Sequence, residues 1–143
     1  MTESTDADFG LVRLSDSEFI LEDQSQDIRG LDVYDKGGQE IGTVEGLYVD
    51  TEERKVRFLD VGAGGFLGLG EKNFLVPVEA VREVNEEEVV VDESRQKVVD
   101  SPPFDTNVVP QAPYQRDIYD YYGYARGGGR TYPGAWPWGF QDM

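Results

Sequence analysis

Between Asp27 and Val81 the chain is a close succession of short apolar runs cut by turn-forming residues, and this stretch limits the possible folds more than any other part of the sequence. Ile28 to Tyr34 leads into the turn Asp35-Lys36-Gly37-Gly38-Gln39, and Glu40 to Asp50 into the turn Thr51-Glu52-Glu53-Arg54. Lys55 to Val61, a glycine-rich loop and Asn73 to Val81 complete the series. Apolar residues near alternate positions, with polar and glycine-rich breaks between the runs, are the pattern of strands with one buried face. Val44, Leu47 and Val49, followed by Val56, Phe58 and Val61, are the residues expected on that face. Leu47 is out of phase with Val44, and the intervening Gly46 predicts a bulge that resets the register. Further on, Val81 to Val84, an acidic turn at Asn85 to Glu88 and Val89 to Val91 predict a last hairpin. Ser94 to Val99 then reads as a short helical or irregular cap. The expected fold is all-β: a small barrel of about six short antiparallel strands.

The units that carry a wider likeness are Ile28-Arg29-Gly30-Leu31-Asp32-Val33-Tyr34-Asp35, Glu40-Ile41-Gly42-Thr43-Val44, Val56-Arg57-Phe58-Leu59-Asp60-Val61 and Phe74-Leu75-Val76-Pro77-Val78-Glu79-Ala80-Val81. In their order and spacing they resemble the PRC-barrel family. That family is named for the H subunit of photosynthetic reaction centres and is shared by a ribosome maturation factor and many small stand-alone prokaryotic proteins. The resemblance covers a little over half of the chain. It implies a PRC-type β-barrel acting as a non-enzymatic binding or assembly module, an implication that rests on fold-level analogy.

A chain of 143 residues suffices for one core of modest size. The absence of Cys and His excludes disulfides, thiolate metal sites and Ser-His-Asp or Cys-His catalysis. No enzyme activity and no cofactor are expected. The segment Met1 to Asp8 is acidic where a secretory leader is basic and then apolar, and no apolar run approaches the roughly 20 residues that span a bilayer. The expectation is therefore a cytoplasmic protein without a membrane span. A net charge of -16 sets the barrel against a phosphate backbone, which disfavours direct nucleic-acid binding and makes a ribosomal or RNA-processing accessory role a distant alternative.

Composition divides the chain into three zones. Residues 1–26 are acidic, with the apolar clusters Leu11-Val12-Arg13-Leu14 and Glu18-Phe19-Ile20-Leu21 expected to dock as edge elements; residues 27–100 form the barrel; residues 101–143 form a tail rich in Pro, Gly and Tyr. The tail holds six of the eight Tyr and both Trp. Solvated linkers normally lack aromatics, so Tyr119, Tyr121, Tyr122, Tyr124, Trp136 and Trp138 are candidate interaction residues. One reading has Val108-Val109 and Ile118-Tyr119 folding back over an open barrel seam. Another has the rings meeting Arg116, Arg126 and Arg130 by cation–π contact in self-association. In either case the tail is expected to be disordered or only loosely docked.

The loop Gly62-Ala63-Gly64-Gly65-Phe66-Leu67-Gly68-Leu69-Gly70-Glu71-Lys72 lacks the spacing of a dinucleotide or P-loop motif, and Glu71 stands where a P-loop has its Lys. It joins two strands, whereas phosphate cradles open onto a helix. Phe66, Leu67 and Leu69 either plug one barrel end or form an exposed contact patch. The acidic groups Asp50, Glu52 and Glu53, and Glu86 to Glu88, lack the alternating ligand spacing of a calcium loop, so no metal site is expected. Together these residues point to a homodimeric adaptor that contacts itself and an unidentified protein partner. The alternative is a stress-associated or structural protein that assembles through its aromatic tail.

Overall fold

The computed structural model describes residues 11–13, 15, 19–21, 27–50, 55–63, 72–124 and 140–142. Its strands are β1 (Leu11–Arg13), β2 (Phe19–Leu21), β3 (Asp32–Tyr34), β4 (Glu40–Asp50), β5 (Lys55–Ala63), β6 (Lys72–Pro77), β7 (Val81–Val84), β8 (Glu88–Val91) and β9 (Phe140–Asp142). Two helices come after β8: α1 (Arg95–Val99) and α2 (Ala112–Tyr122). A 3-10 turn over Val78–Ala80 joins β6 to β7. The chain is mostly strand, as its alternating pattern predicts.

The main sheet is ordered β6-β5-β4-β3-β8-β7, with β1 added to β4. β4 is the organising strand. It pairs with β5 along one edge, and on the other with β3 at Glu40 to Thr43 and with β1 at Tyr48 to Asp50. β1 thus takes over the edge where β3 leaves it. The predicted bulge is present, with the β4–β5 register shifting between Val44 and Gly46. A Cβ at Gly46 would displace the Arg13 guanidinium, whereas at Gly42 it would run into the Gly62 backbone of β5, which cannot swing aside. The turn after β3 also forms as expected, Gly38 taking φ +89 where an L side chain is strained.

Three expectations need correction. The sheet is not wholly antiparallel, because β3 and β8 run parallel, and the ladder does not close between β6 and β7. A parallel pair needs a long crossover, which the β4-to-β7 excursion supplies. Second, β5 is buried on both faces rather than one: Val56, Arg57, Phe58, Leu59, Asp60 and Val61 are all buried. Phe58 and Asp60 share the face opposite Leu59 and Val61, so Phe58 does not point with Val61. Third, the apolar cluster at Phe19 to Leu21 pairs with β9 near the end of the chain and not with a barrel strand.

The chain beyond β8 explains this double-sided burial. From Ser101 to Tyr124 it is no loose tail. It runs back over the sheet, and Ile118 is fully buried, with Phe104, Tyr119 and Tyr122 also in the core. Pro113 sits in the first turn of α2, where its missing N–H costs nothing, and Gly123 closes the helix in the left-handed conformation at φ +82. α1 is anchored independently: the Ser94 hydroxyl caps it by accepting from the Lys97 N–H at 3.1 Å.

Candidate functional site

The outer face of β4, β5 and β6 carries Tyr48, Phe58, Asp60 and Asn73, and the returning segment packs on these residues. Phe104 meets the Tyr48 ring edge-on at 5.6 Å, while Tyr119 lies 5.4 Å from Phe58. Asp60 is fully buried with both side-chain oxygens bonded: Arg13 donates to its Oδ2 at 2.9 Å and Asn73 Nδ2 to its Oδ1 at 2.8 Å. Arg13 also donates to the Tyr48 hydroxyl at 3.2 Å and to the Glu45 carbonyl at 3.0 Å, with its guanidinium 5.4 Å from the Tyr48 ring centre. Burial works to lower the Arg13 pKa, but the bonds to Asp60 and Tyr48 outweigh it and hold the pKa above its ordinary value. This network has every charge matched from within the chain, which fits a role in fastening β1 rather than in binding.

A second charged group lies at the other end of the same face. Arg57 approaches Asp50 Oδ2 at 3.8 Å and Glu79 Oε2 at 4.0 Å, and the Tyr119 hydroxyl donates to Glu79 Oε2 at 3.4 Å. The third anchor is Asp35, which accepts from the Gly37 and Gln39 N–H groups through one oxygen and from the Arg95 N–H through the other, at 2.8–2.9 Å. It thereby ties the first residue of α1 to the β3–β4 turn. Burial alone would raise the Asp35 pKa; the three N–H donors overcome that and hold it below the ordinary carboxylate value.

Among the described residues, apolar surface is presented outward at a groove between Pro103 and Tyr114. It is built from the loop that carries the chain from α1 to α2. Phe104 N donates to the Asn73 carbonyl at 3.2 Å, which fixes the loop on β6, and the Phe104 and Tyr114 rings stack at 6.3 Å. The Tyr114 hydroxyl donates back to the Pro102 carbonyl at 3.0 Å. Burial, helped by the Asp60 carboxylate, pushes the Tyr114 pKa well up, so this donor stays protonated. Asp105 caps its own turn by accepting from Asn107 N–H at 2.9 Å, and the Gln111 amide donates to the Val109 carbonyl at 2.9 Å. The result is a cavity of about 260 Å³ open to solvent, walled by Phe104, Val108, Val109, Pro110 and Tyr114, with Asp105 at its rim. Val108 and Val109 are 50% and 44% exposed, and they are the exposed large hydrophobics among the described residues.

Val108 and Val109 stay exposed and do not cover a seam as the sequence suggested, whereas Ile118 and Tyr119 are buried, Tyr119 against Phe58 of β5. Of the candidate interaction residues, Tyr119 and Tyr122 are buried against the chain's own sheet and are not available to a partner in this state. Tyr121 and Tyr124 are half-buried: their hydroxyls donate to the Lys97 carbonyl and the Glu93 carboxylate, each at 2.6 Å, and Lys97 Nζ stands 5.1 Å from the Tyr121 ring. Phe66, Leu67, Leu69, Trp136 and Trp138 lie outside the described residues. The sequence reading missed the groove because its residues are scattered among prolines. A signal was present in Pro113 with Tyr114, Ile118 and Tyr122 after it, which is helical spacing ended by Gly123.

The PRC-barrel domain pattern matches residues 22–98, just over half of the 143-residue chain. The chain belongs to the PRC-barrel family, a class of small domain that often mediates protein interactions. A comparison with curated proteins finds no match. The matched residues end within α1, so the Phe104 loop, the groove and α2 all lie beyond them. No helix among the described residues is long and apolar enough to cross a membrane, and among them no three acidic side chains gather as a cation site.

Proposed function

We propose that the chain is a non-enzymatic protein-interaction module, a homodimeric adaptor whose docking surface for a second protein is the Pro103–Tyr114 groove. The observation that carries this reading is the pair Val108 and Val109, held exposed beside two stacked aromatic rings by a loop that the Tyr114 hydroxyl and the Gln111 amide tie to its own backbone. Two exposed valines form too small a patch for a dimer interface, which needs about 800 Å² from each partner. The groove therefore serves a narrow partner element, and the dimer contact is assigned elsewhere, to Phe66, Leu67 and Leu69.

Site-specific photo-crosslinking of the full chain tests the docking surface. A benzophenone side chain at position 109, in a native lysate, should capture a discrete protein that the same group at Glu86 on the β7–β8 turn does not. Equal capture at both positions, or none at position 109, would refute the groove as the docking surface.

A further inference from the structure

Resting on the reading of the groove as a docking surface, we propose that its ligand is a proline-rich segment of a partner protein in polyproline II conformation, with an adjacent Arg or Lys seated against Asp105. Three properties of the groove select this chemistry. Its volume of about 260 Å³ is below the roughly 300–1,000 Å³ of small-molecule sites, so it holds two or three side chains and no cofactor. A helical ligand would need anchors at i, i+3, i+4 and i+7 along about 10 Å of axis, more than a cavity of this size receives.

The groove also offers little hydrogen bonding. Tyr114 spends its one donor on the Pro102 carbonyl, Gln111 one of its two amide N–H groups on the Val109 carbonyl, and the Val108 N–H donates to the Asp105 carbonyl at 3.2 Å. An added β-strand needs a strand edge to pair with, and the residues lining the groove form no strand. A polyproline II segment asks for little, because its prolines have no N–H and its remaining backbone stays in water. Its rings pack on apolar surface such as the half-buried Tyr114 and the exposed Val108 and Val109. Charge fixes the remaining feature: among the described residues Asp105 is the charged residue lining the groove and no Lys or Arg lines it, and the chain as a whole carries -16. A cation next to the prolines is attracted, and an acidic ligand is repelled.

The test uses the full isotope-labelled chain titrated with the capped peptide Arg-Pro-Leu-Pro-Pro-Leu-Pro and monitored by amide chemical shifts. The Val108, Val109 and Gln111 amides should move saturably. Replacing the peptide's Arg by Glu should weaken binding about five-fold, the size expected of one exposed charge pair. Val109→Asp, at an exposed position, should abolish the shifts, and Asp105→Asn should reduce the preference for the Arg peptide. Absence of these shifts at millimolar peptide, equal affinity for the Arg and Glu peptides, or shifts centred elsewhere would overturn the proposal. Movement of the same amides on concentrating the protein alone would identify a second copy as the occupant and overturn it equally. If capture at position 109 persists while the peptide fails, only the proline-rich ligand is lost; if both fail, the docking surface falls with it.

Discussion

Ile118→Ala separates a returning segment that is part of the core from one that merely rests on it. Ile118 is fully buried at the centre of α2, between Tyr114 and Tyr122. The substitution removes three carbons, worth about 2.4 kcal/mol at about 0.8 kcal/mol for each buried methylene. The cavity left behind adds to this, and buried Ile-to-Ala changes cost about 2–5 kcal/mol in all. The expected loss is therefore about 3–4 kcal/mol. With a urea m-value of about 2 kcal/mol/M for a domain of this size, the midpoint should fall by about 1.5–2 M. Far-ultraviolet circular dichroism reports on the sheet, so a single transition at the lower midpoint shows that α2 and the strands unfold together. A midpoint within about 0.3 M of the wild type would refute the packing argument. A separate early helical transition, with the strand transition unmoved, would show instead that α2 opens as its own unit.

Asp35→Asn replaces the oxygen that accepts from Arg95 N–H by an amide that cannot, and should cost about 1–3 kcal/mol at neutral pH by thermal unfolding. Because the folded-state pKa of Asp35 lies below its ordinary value of 3.8, its contribution is present above that value and lost as pH falls through the folded pKa; the gap between wild type and variant should close under strongly acidic conditions. Asp60→Ala leaves Arg13 and Asn73 without their buried acceptor and should destabilise by about 3–5 kcal/mol, whereas Arg13→Ala with Asp60→Ala should cost less than the two single changes summed. At a net charge of -16, the melting temperature should rise with sodium chloride by about 4 °C or more, the shift that about 1 kcal/mol gives; indifference to salt would mean the acidic groups are balanced locally. The proposed dimer is tested by replacing both Leu67 and Leu69 by Ser: in sedimentation velocity the wild type should run as a dimer and the variant as a monomer, with stability changed by under about 0.5 kcal/mol; a loss of several kcal/mol would make them core residues instead.

The strand series was legible because period-2 alternation and turn chemistry are local signals. The bulge at Gly46 could be read from phase alone, and the hairpin from Val81 to Val91 from its acidic turn. Other features depend on pairings distant in sequence. Nothing near Asp32 to Tyr34 says that its second neighbour is β8 and parallel, because that choice is made by sheet order rather than by residue type. Phe58 looked like an interior residue since it is apolar and central. Its true partner, Tyr119, sits in a stretch whose Pro and Gly content resembles a linker. There composition misled: the helical spacing of Tyr114, Ile118 and Tyr122 was the stronger signal, and Pro113 and Gly123 were its boundaries rather than marks of disorder. Asp105, Val108 and Val109 had no sequence signature at all, since a groove is a property of how a loop is held.

How that loop is held explains the choice of tyrosine along α2. Leucine would bury comparable apolar area, but burial is non-directional and lets a helix slide or rotate on an apolar face. Three tyrosines of α2, and Tyr124 just past its Gly123 cap, each add a hydroxyl aimed at a different element, whereas Tyr122 contributes its buried ring: Tyr114 bonds to Pro102 before the groove, Tyr119 to Glu79 in the 3-10 turn, Tyr121 to Lys97 in α1, and Tyr124 to Glu93 after β8. Four such bonds, each worth about 0.5–1.5 kcal/mol, add less than the rings' burial, yet together they admit one position and one rotation of the helix. The groove depends on that single register. Its two sides, Tyr114 and the Val108–Pro110 turn, come from α2 and from the loop that leads into it, so a slip of α2 by one turn, about 5.4 Å, would carry Tyr114 away from Phe104 and abolish the cavity. The hydroxyls thus control the shape of the groove more than they control stability. Changing Tyr114 and Tyr121 together to Phe keeps the rings, and it should therefore disturb the Val108 and Val109 environment far more than it lowers the melting temperature.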